Sequence, residues 1–324
     1  MSVLELSAAD LRRLVSMDAA IAAMRGAFEI AAAGGFDQPR RIGLEDGRCL
    51  VMLAGALEQP GVVVKAVAIA PDNPARGLPT IHSTVLWMDD PTGRVSALLE
   101  GSTLTSLRTG AASGVATDLL ASPAARVLAM IGAGGQARDQ IAAVCAVRPI
   151  EEIRIWSRSV GSGVALADRI RQIYPTLHVR VEPEVRETIA GADVICTATR
   201  STEPLIWASD LAPAVHINAI GAYRPNMVEL APEVLDRAVV VAIDDREAAM
   251  SEAGDILQAM DAGVEVLSRL QLIGALLADP EWRRPGGISV FKSVGIAAQD
   301  WAIARLAYER ALAGQEPASA DAAF

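Results

Sequence analysis

Cations at three places and one glycine loop carry the chemistry that can be read from this 324-residue chain. Lys65 interrupts an apolar run, GVVVKAVAIA, that holds no other charge. A charged side chain in such a run is rarely buried without a partner. Burial would lower its pKa, as a catalytic lysine requires. The other reading is a lysine that points outward from an edge strand, and the pattern alone does not choose between them. Arg108 lies in TLTSLRTGAASGVATDLLA, where little else is both polar and long. Arg40 and Arg41 follow Gln38 and Pro39. Two arginines and a lysine converging on one pocket would suit a small carboxylate, because guanidinium groups pair with carboxylates through two parallel hydrogen bonds. Convergence itself is not visible in the sequence.

The glycine loop is GAGGQA. Gly132, Gly134 and Ala137 fit G-x-G-x-x-[GA], and the pattern follows a strand-like RVLAMI and opens a helix-like segment. The first glycine permits a tight turn. The second lets the backbone approach a pyrophosphate, and Ala137 lets helix and strand pack closely. Free N–H groups and the helix dipole then hold the anion. A strand–helix turn without a ligand is the plain alternative. The next strand ends Trp156-Ser157-Arg158-Ser159, with no Asp or Glu. An acid there would bind ribose hydroxyls and repel a 2′-phosphate. Ser157, Arg158 and Ser159 can instead donate to that phosphate, so the local chemistry favours NADP(H), with NAD(H) as the alternative. A further strand pattern stops at a glycine in INAIGAYRPN, which puts Tyr223 on a loop that faces a ligand if the sheet is parallel.

Other polar residues read more plainly. The three histidines show no metal-ligand spacing with one another or with cysteine, so no metal site is expected. His82 reads as a half-exposed strand residue and His216 as structural. Glu229, Asp244, Asp245 and Asp255 fall near strand ends and read as solvated loop acids. Three scattered cysteines without a CxxC pair suit a reducing, cytoplasmic setting. A net charge of −10 argues against nucleic acid and anionic membranes as partners. No apolar run reaches membrane-spanning length, and the acidic, amphipathic start MSVLELSAADLRRL lacks the marks of a signal peptide.

These residues need elements to position them. Residues 7–34 read as two helices, the first opened by a Ser7/Asp10 capping pattern and the second closed by a glycine pair. From 36 to 100, short β-like runs alternate with turn residues, with a hairpin signal in DDPTGR at 89–94. Residues 103–121 read as a helix of small residues. From 122 to 290, strands alternate with helices, the pattern of a parallel sheet covered on both faces. An amphipathic helix follows and ends near Ala313, and the tail GQEPASADAAF is expected to be disordered.

In order along the chain, QPRR (38–41), GVVVKA (61–66), TGRVSALLEGSTLTSLRTGAAS (92–113), IGAGGQA (131–137), IRIWSRS (153–159), GADVICTATRSTEP (191–204), HINAIGAYRPNMVEL (216–230), EAGDI (252–256) and VFKSVGIAAQD (290–300) resemble the ornithine cyclodeaminase/mu-crystallin family. The resemblance implies an α/β fold: a Rossmann-type doubly wound parallel sheet at 122–290, plus an α+β substrate-binding and dimerisation domain built from 1–121 and 291–324. It implies a homodimer. It matches Lys65 to the family's substrate-contacting lysine and Arg41 and Arg108 to the arginines that grip the substrate carboxylate. It matches Gln136, beside Gly135, to the glutamine of the phosphate loop. The nicotinamide end is expected near Thr197, Ile220, Lys292, Ser293 and Val294.

Family cyclodeaminases carry an aspartate two residues after the strand glycine, and here Tyr223 stands there. The strand end IWSRS is similar to that of the family's NADPH-using ketimine reductases. Both features direct the expectation to reduction of a small cyclic imino acid, Δ1-pyrroline-2-carboxylate or Δ1-piperideine-2-carboxylate, to proline or pipecolate, with Tyr223 shaping the substrate pocket. Ornithine or lysine cyclodeamination and an alanine-dehydrogenase-like reaction are the enzymatic alternatives. A redox-neutral lyase would need a proton abstractor that cannot be named, and small-ligand binding without catalysis is the reading from another class.

Overall fold

The computed structural model describes residues 3–44, 48–70, 72–78, 81–284 and 286–314. In chain order the elements are β1 (Leu4–Leu6), α1 (Ala8–Leu14), α2 (Met17–Ala32), β2 (Phe36–Asp37), β3 (Ile42–Gly43), β4 (Cys49–Ala56), β5 (Val62–Ile69), β6 (Ile81–Met88), β7 (Val95–Glu100) and α3 (Gly101–Leu120). Then come β8 (Val127–Ile131), α4 (Ala137–Val147), β9 (Glu152–Trp156), α5 (Val160–Ile173), β10 (His178–Val181), α6 (Val185–Ile189), β11 (Val194–Thr197), β12 (Val215–Ala219) and α7 (Pro232–Arg237). The last are β13 (Ala238–Ile243), α8 (Arg246–Glu252), α9 (Gly254–Asp261), β14 (Leu270–Leu272), α10 (Ile273–Ala278), β15 (Ile288–Lys292) and α11 (Ala297–Leu312). They divide into two compact units: Met1–Arg108 with Ile296–Phe324, and Thr109–Gly295. The tail expected to be disordered lies, from residue 315 on, outside the described residues. No helix among the described residues is long and apolar enough to cross a membrane.

In the first unit Ser7 and Asp10 form a reciprocal capping box at the start of α1, which satisfies backbone N–H groups that the helix leaves without partners. The sheet runs β1-β7-β6-β5-β4-β2, with β3 also on β4. Strands β4 to β7 pair antiparallel with their sequence neighbours, as the run of short strands and turns implies. The DDPTGR turn closes with Gly93 N–H donating to the Asp89 carbonyl and Thr92 Oγ1 to the Asp89 carboxylate. Strand β1 adds parallel to β7 and is not foreseen in the sequence: three residues are too few to show an alternation. Helix α11 lies across β4, β5 and β6. Trp301 anchors it, donating from Nε1 to the Gly61 carbonyl at 2.7 Å and packing beside Trp87 and Phe36.

The second unit is an eight-stranded sheet in the order β10-β9-β8-β11-β12-β15-β13-β14, with every pair parallel. Alternate residues of β8 enter two different cores. Leu128 and Met130 pack with Ile141 and Ile170 on one face, and Ala129 and Ile131 pack with Ile189 and Val234 on the other. Both faces are therefore covered, which is why these strands read as continuous apolar runs. Successive strands step one way from β8 to β9 and β10, then the other way to β11 and β12. The order reverses between β8 and β11, and crevices at the carboxyl ends of strands open at such a reversal.

The unit boundaries differ from those expected at 121/122 and 290/291. Helix α3 runs through residue 108 without a break, and its second half belongs to the parallel-sheet unit. A side chain at Gly110 would collide with the Asp139 backbone of α4, its Cβ lying 2.5 Å from the carbonyl oxygen. Arg148 closes the far end of α3, donating from Nη2 to the carbonyls of Thr117, Asp118 and Ala121. At the other boundary β15 is inserted between β12 and β13, so cutting the chain at 291 would split a central strand.

Candidate functional site

The first cluster lies within the first unit. Lys65 sits on β5, a central strand flanked by β4 and β6, on the face that α11 covers. Its cross-strand neighbours Met52 and Val85 are buried, and Lys65 itself is 2% exposed. The outward-facing reading of this lysine is overturned: an inner strand beneath a helix leaves that position no water. The partner is Asp300 of α11, whose carboxylate oxygens lie 2.7 and 2.9 Å from Lys65 Nζ. Arg108, also buried, shares the carboxylate, with Nε 3.3 Å from Asp300 Oδ1, and donates from Nη1 to Gln299 Oε1. Gln38 Oε1 accepts from the Ala298 N–H, tying the QPRR segment to the start of the same helix. Burial pulls the Lys65 pKa down to about 8. Asp300 opposes that shift, and the positive charges of Arg108 and then Arg41 add to it. Arg41 is partly exposed and close enough to act on Lys65. Arg41, Lys65 and Arg108 thus gather in one place, around an acid that the sequence reading passed over. The signal for Asp300 is of the same kind as that for Lys65: a lone charge in an apolar stretch, GIAAQDWAIA.

The second cluster lies within the parallel-sheet unit, along the carboxyl edge of five neighbouring strands, β9-β8-β11-β12-β15. Gly132 ends β8 with φ +109°, and a Cβ there would lie 2.7 Å from the Ala198 carbonyl of the loop after β11. Only glycine fits this turn. Gly134 and Gly135 are exposed, and an added Cβ on either would meet nothing within 4 Å, so the loop presents an open cradle. Ala137 is buried at the start of α4. Gln136 precedes it without capping the helix, and its buried Oε1 has no hydrogen-bond partner. An open glycine cradle on a helix N-terminus that no side chain caps fits a dinucleotide pyrophosphate. At the end of β9, Ser157 is half-buried and Arg158 exposed, while Ser159 caps α5 by accepting from the Ser162 N–H.

The remaining strand ends are held from beneath by buried acids. Glu229 accepts from Thr197 Oγ1 at 2.8 Å, from Thr199 N and Oγ1 at 2.7 Å each, and from Gly221 N at 2.9 Å. Asp255 accepts from the backbone N–H groups of Glu229 and Leu230 and pairs with Lys292 Nζ at 2.7 Å. Asp244 accepts from Ser293 Oγ at 2.6 Å and from the Gly295 N–H at 2.8 Å, and Asp245 caps α8. The expectation that Glu229, Asp244 and Asp255 are solvated loop acids is therefore wrong: all three are buried. Acids next to strand ends face inward here because backbone N–H groups and hydroxyls converge on them, a condition set by the folded loops. Burial, and then Asp255, push the Glu229 pKa up, against Lys292 and the two threonines.

Thr197, Ile220, Lys292, Ser293 and Val294 are all buried at this edge, and the side chains of Thr197, Lys292 and Ser293 are engaged by protein carboxylates. Tyr223 is half-buried against the core, with the Arg224 guanidinium 5.8 Å above its ring. His216 is buried between Ser289 and Asn218, and burial takes its pKa down to about 3, so it stays neutral. His82 is exposed. Among the described residues no group of three or more His, Cys, Asp or Glu is arranged to hold a metal ion.

A Δ1-pyrroline-2-carboxylate reductase from Bacillus cereus is 36% identical over 317 residues, covering 96% of this chain and 97% of that protein. The solved structure of Thermococcus litoralis Δ1-pyrroline-2-carboxylate reductase in complex with NADH and L-proline superposes with a TM-score of 0.91 at 32% identity, covering 98% of this chain and 100% of that one. An archaeal alanine dehydrogenase dimer with bound NAD has a TM-score of 0.88 at 32% identity, over 98% of each chain. The model of the ornithine cyclodeaminase/mu-crystallin family matches residues 3–315, and the chain belongs to that family.

Proposed function

We propose that this protein reduces a small cyclic imino acid, Δ1-pyrroline-2-carboxylate or Δ1-piperideine-2-carboxylate, to the corresponding L-amino acid, with NADPH as the preferred reductant. The observation that carries the reading is the buried Lys65–Asp300–Arg108 cluster with Arg41 beside it. Arg41 and Arg108 hold the substrate carboxylate. Bound at the glycine cradle of Gly132–Ala137, the reduced nicotinamide supplies the hydride. Lys65 supplies the proton that the imine nitrogen takes as its carbon is reduced, and a pKa near 8 lets it do so at neutral pH. The two reductases of this family named above act on one of these imines by name, which supports the assignment. Cyclodeamination is disfavoured because Tyr223, packed on the core, stands where that reaction uses an aspartate. Three free cysteines are in keeping with a reducing, cytoplasmic setting.

The functional test is spectrophotometric. Purified protein is mixed with either imine, and oxidation of NADPH and NADH is compared; L-ornithine with NAD is run in parallel and scored for proline and ammonia. Turnover is expected with the imines. Reaction in the ornithine mixture alone would overturn the reading.

Preference for NADPH follows from Ser157 and Arg158 at the end of β9, where no acid stands to repel a 2′-phosphate. Ser157→Asp is expected to move the ratio of kcat/KM values toward NADH by about tenfold or more, the effect of roughly 1.4 kcal/mol. An unchanged ratio would place the phosphate contacts elsewhere.

The Lys65 proton predicts a pH profile. Lys65 is protonated below about pH 8, so kcat/KM for imine reduction is level there and falls tenfold per unit above it. The reverse oxidation, which needs the neutral amine, rises through the same point. Lys65→Arg keeps the charge but cannot release a proton near neutrality, so kcat drops on the order of 10²-fold and the limb near pH 8 disappears. A variant that keeps both rate and limb would remove Lys65 from proton transfer.

We also propose a homodimer. On the sheet face opposite Lys65, Leu53, Val64, Leu86 and Leu98 stand in register across β4, β5, β6 and β7, all half-buried. A second copy of this face would cover the apolar row by sheet-on-sheet packing. Val64→Lys should convert the dimer to a monomer in light scattering coupled to gel filtration; a variant that stays dimeric would move the interface elsewhere.

A further inference from the structure

The Glu229 carboxylate does more than fill a polar hole in the core. Its four partners are all donors, two on each oxygen: Thr199 N and Oγ1 on Oε1, and Thr197 Oγ1 and Gly221 N on Oε2. The hydroxyls can turn around, but the two backbone N–H groups cannot. Each oxygen must therefore accept, which an ionised carboxylate satisfies at both ends. An amide accepts at one end only and would set an N–H against a backbone N–H at the other. The partners belong to the ends of two different strands, β11 and β12, and the loops that follow them, so one side chain holds both strand ends. The fit is tight: a Cβ on Gly221 would lie 2.4 Å from Glu229 Oε1 and 2.4 Å from the Thr199 carbonyl. Asp255 fixes the Glu229 backbone, and through Lys292 it reaches the end of β15, making three adjacent strand ends one buried assembly.

We propose that Glu229 is the positioning residue of the nicotinamide end of the dinucleotide site, setting the loops of Thr197–Thr199 and Ile220–Gly221 that the nicotinamide must face. This rests on the proposed function, which places the dinucleotide at the carboxyl edge of this sheet. Gly132–Ala137 and Ser157–Ser159, which serve the pyrophosphate and adenosine halves, lie on β8 and β9 and make no contact with the Glu229 carboxylate among the hydrogen bonds described. Gly132 borders the Thr197–Thr199 loop at Ala198 and Thr199 through its backbone alone, so loss of Glu229 should weaken the nicotinamide half of the cofactor far more than the other.

The test measures binding rather than turnover. Dissociation constants of NADPH and of 2′-phospho-ADP-ribose, which lacks the nicotinamide, are measured by titration calorimetry on the full chain, wild type and Glu229→Gln. The nicotinamide fluorescence of bound NADPH is recorded alongside. Glu229→Gln is expected to weaken NADPH on the order of tenfold, to leave 2′-phospho-ADP-ribose within about twofold, and to shift the emission of the bound nicotinamide. Should Glu229→Gln fail to fold, Thr197→Val removes a single donor to Glu229 at nearly constant volume. It is expected to give the same one-sided loss at roughly threefold. Equal loss for both ligands, or none for either, would make Glu229 a structural staple and overturn the inference alone. A wild-type protein that binds neither NADPH nor NADH would instead bring down the proposed function, and this inference with it.

Discussion

A charge removed from water must have its counter-charge within reach, or the fold loses several kcal/mol for each ion. That constraint organises both units of this protein. In the first, Lys65 and Arg108 come from a strand and a helix far apart in sequence, and Asp300 on a third element is the anion they share. In the second, Lys292 has Asp255, and Asp255 in turn steadies Glu229. Each buried pair joins elements that apolar packing alone would leave free to slide. The polar residues of the core therefore fix geometry where the apolar residues supply cohesion.

The same constraint shapes reactivity. A lysine paired only with Asp300 would be held charged; burial and two neighbouring arginines work against that pairing and leave its proton exchangeable near pH 8. The parallel sheet contributes differently. All its strands run one way, so their carboxyl ends form one edge, and the reversal of strand order between β8 and β11 opens that edge where Gly132 meets Ala198. The parallel-sheet unit thus offers backbone at an open strand edge, and the other unit offers a cluster of buried charged side chains.

Much of this is legible in the sequence. The glycine loop, the alternation of strands and helices, the capping box at Ser7 and the three cations follow from local signals, since turn conformation and apolar period act over a few residues. What could not be read was pairing over long distances. Lys65 looked ambiguous because its partner lies on the last helix, and nothing local indicates which face of β5 that helix covers. Glu229, Asp244 and Asp255 looked solvated because an acid beside a strand end is usually exposed; the donors that bury them come from other loops. Strand β15 straddles the domain boundary expected at 290/291, yet it lies inside the parallel sheet between β12 and β13, a place that only topology assigns.

Gly221 draws a line through the stretch INAIGAYRPN. Gly221 itself cannot change, because any side chain there would strike Thr199 and Glu229. Beyond it in this stretch, Tyr223 is half-buried against the core and Arg224, Pro225 and Asn226 are exposed. A protein built this way can exchange the exposed residues of this loop while the buried assembly at the strand ends stays untouched. Innovation in such a scaffold has a permitted address, and it begins two residues after the glycine.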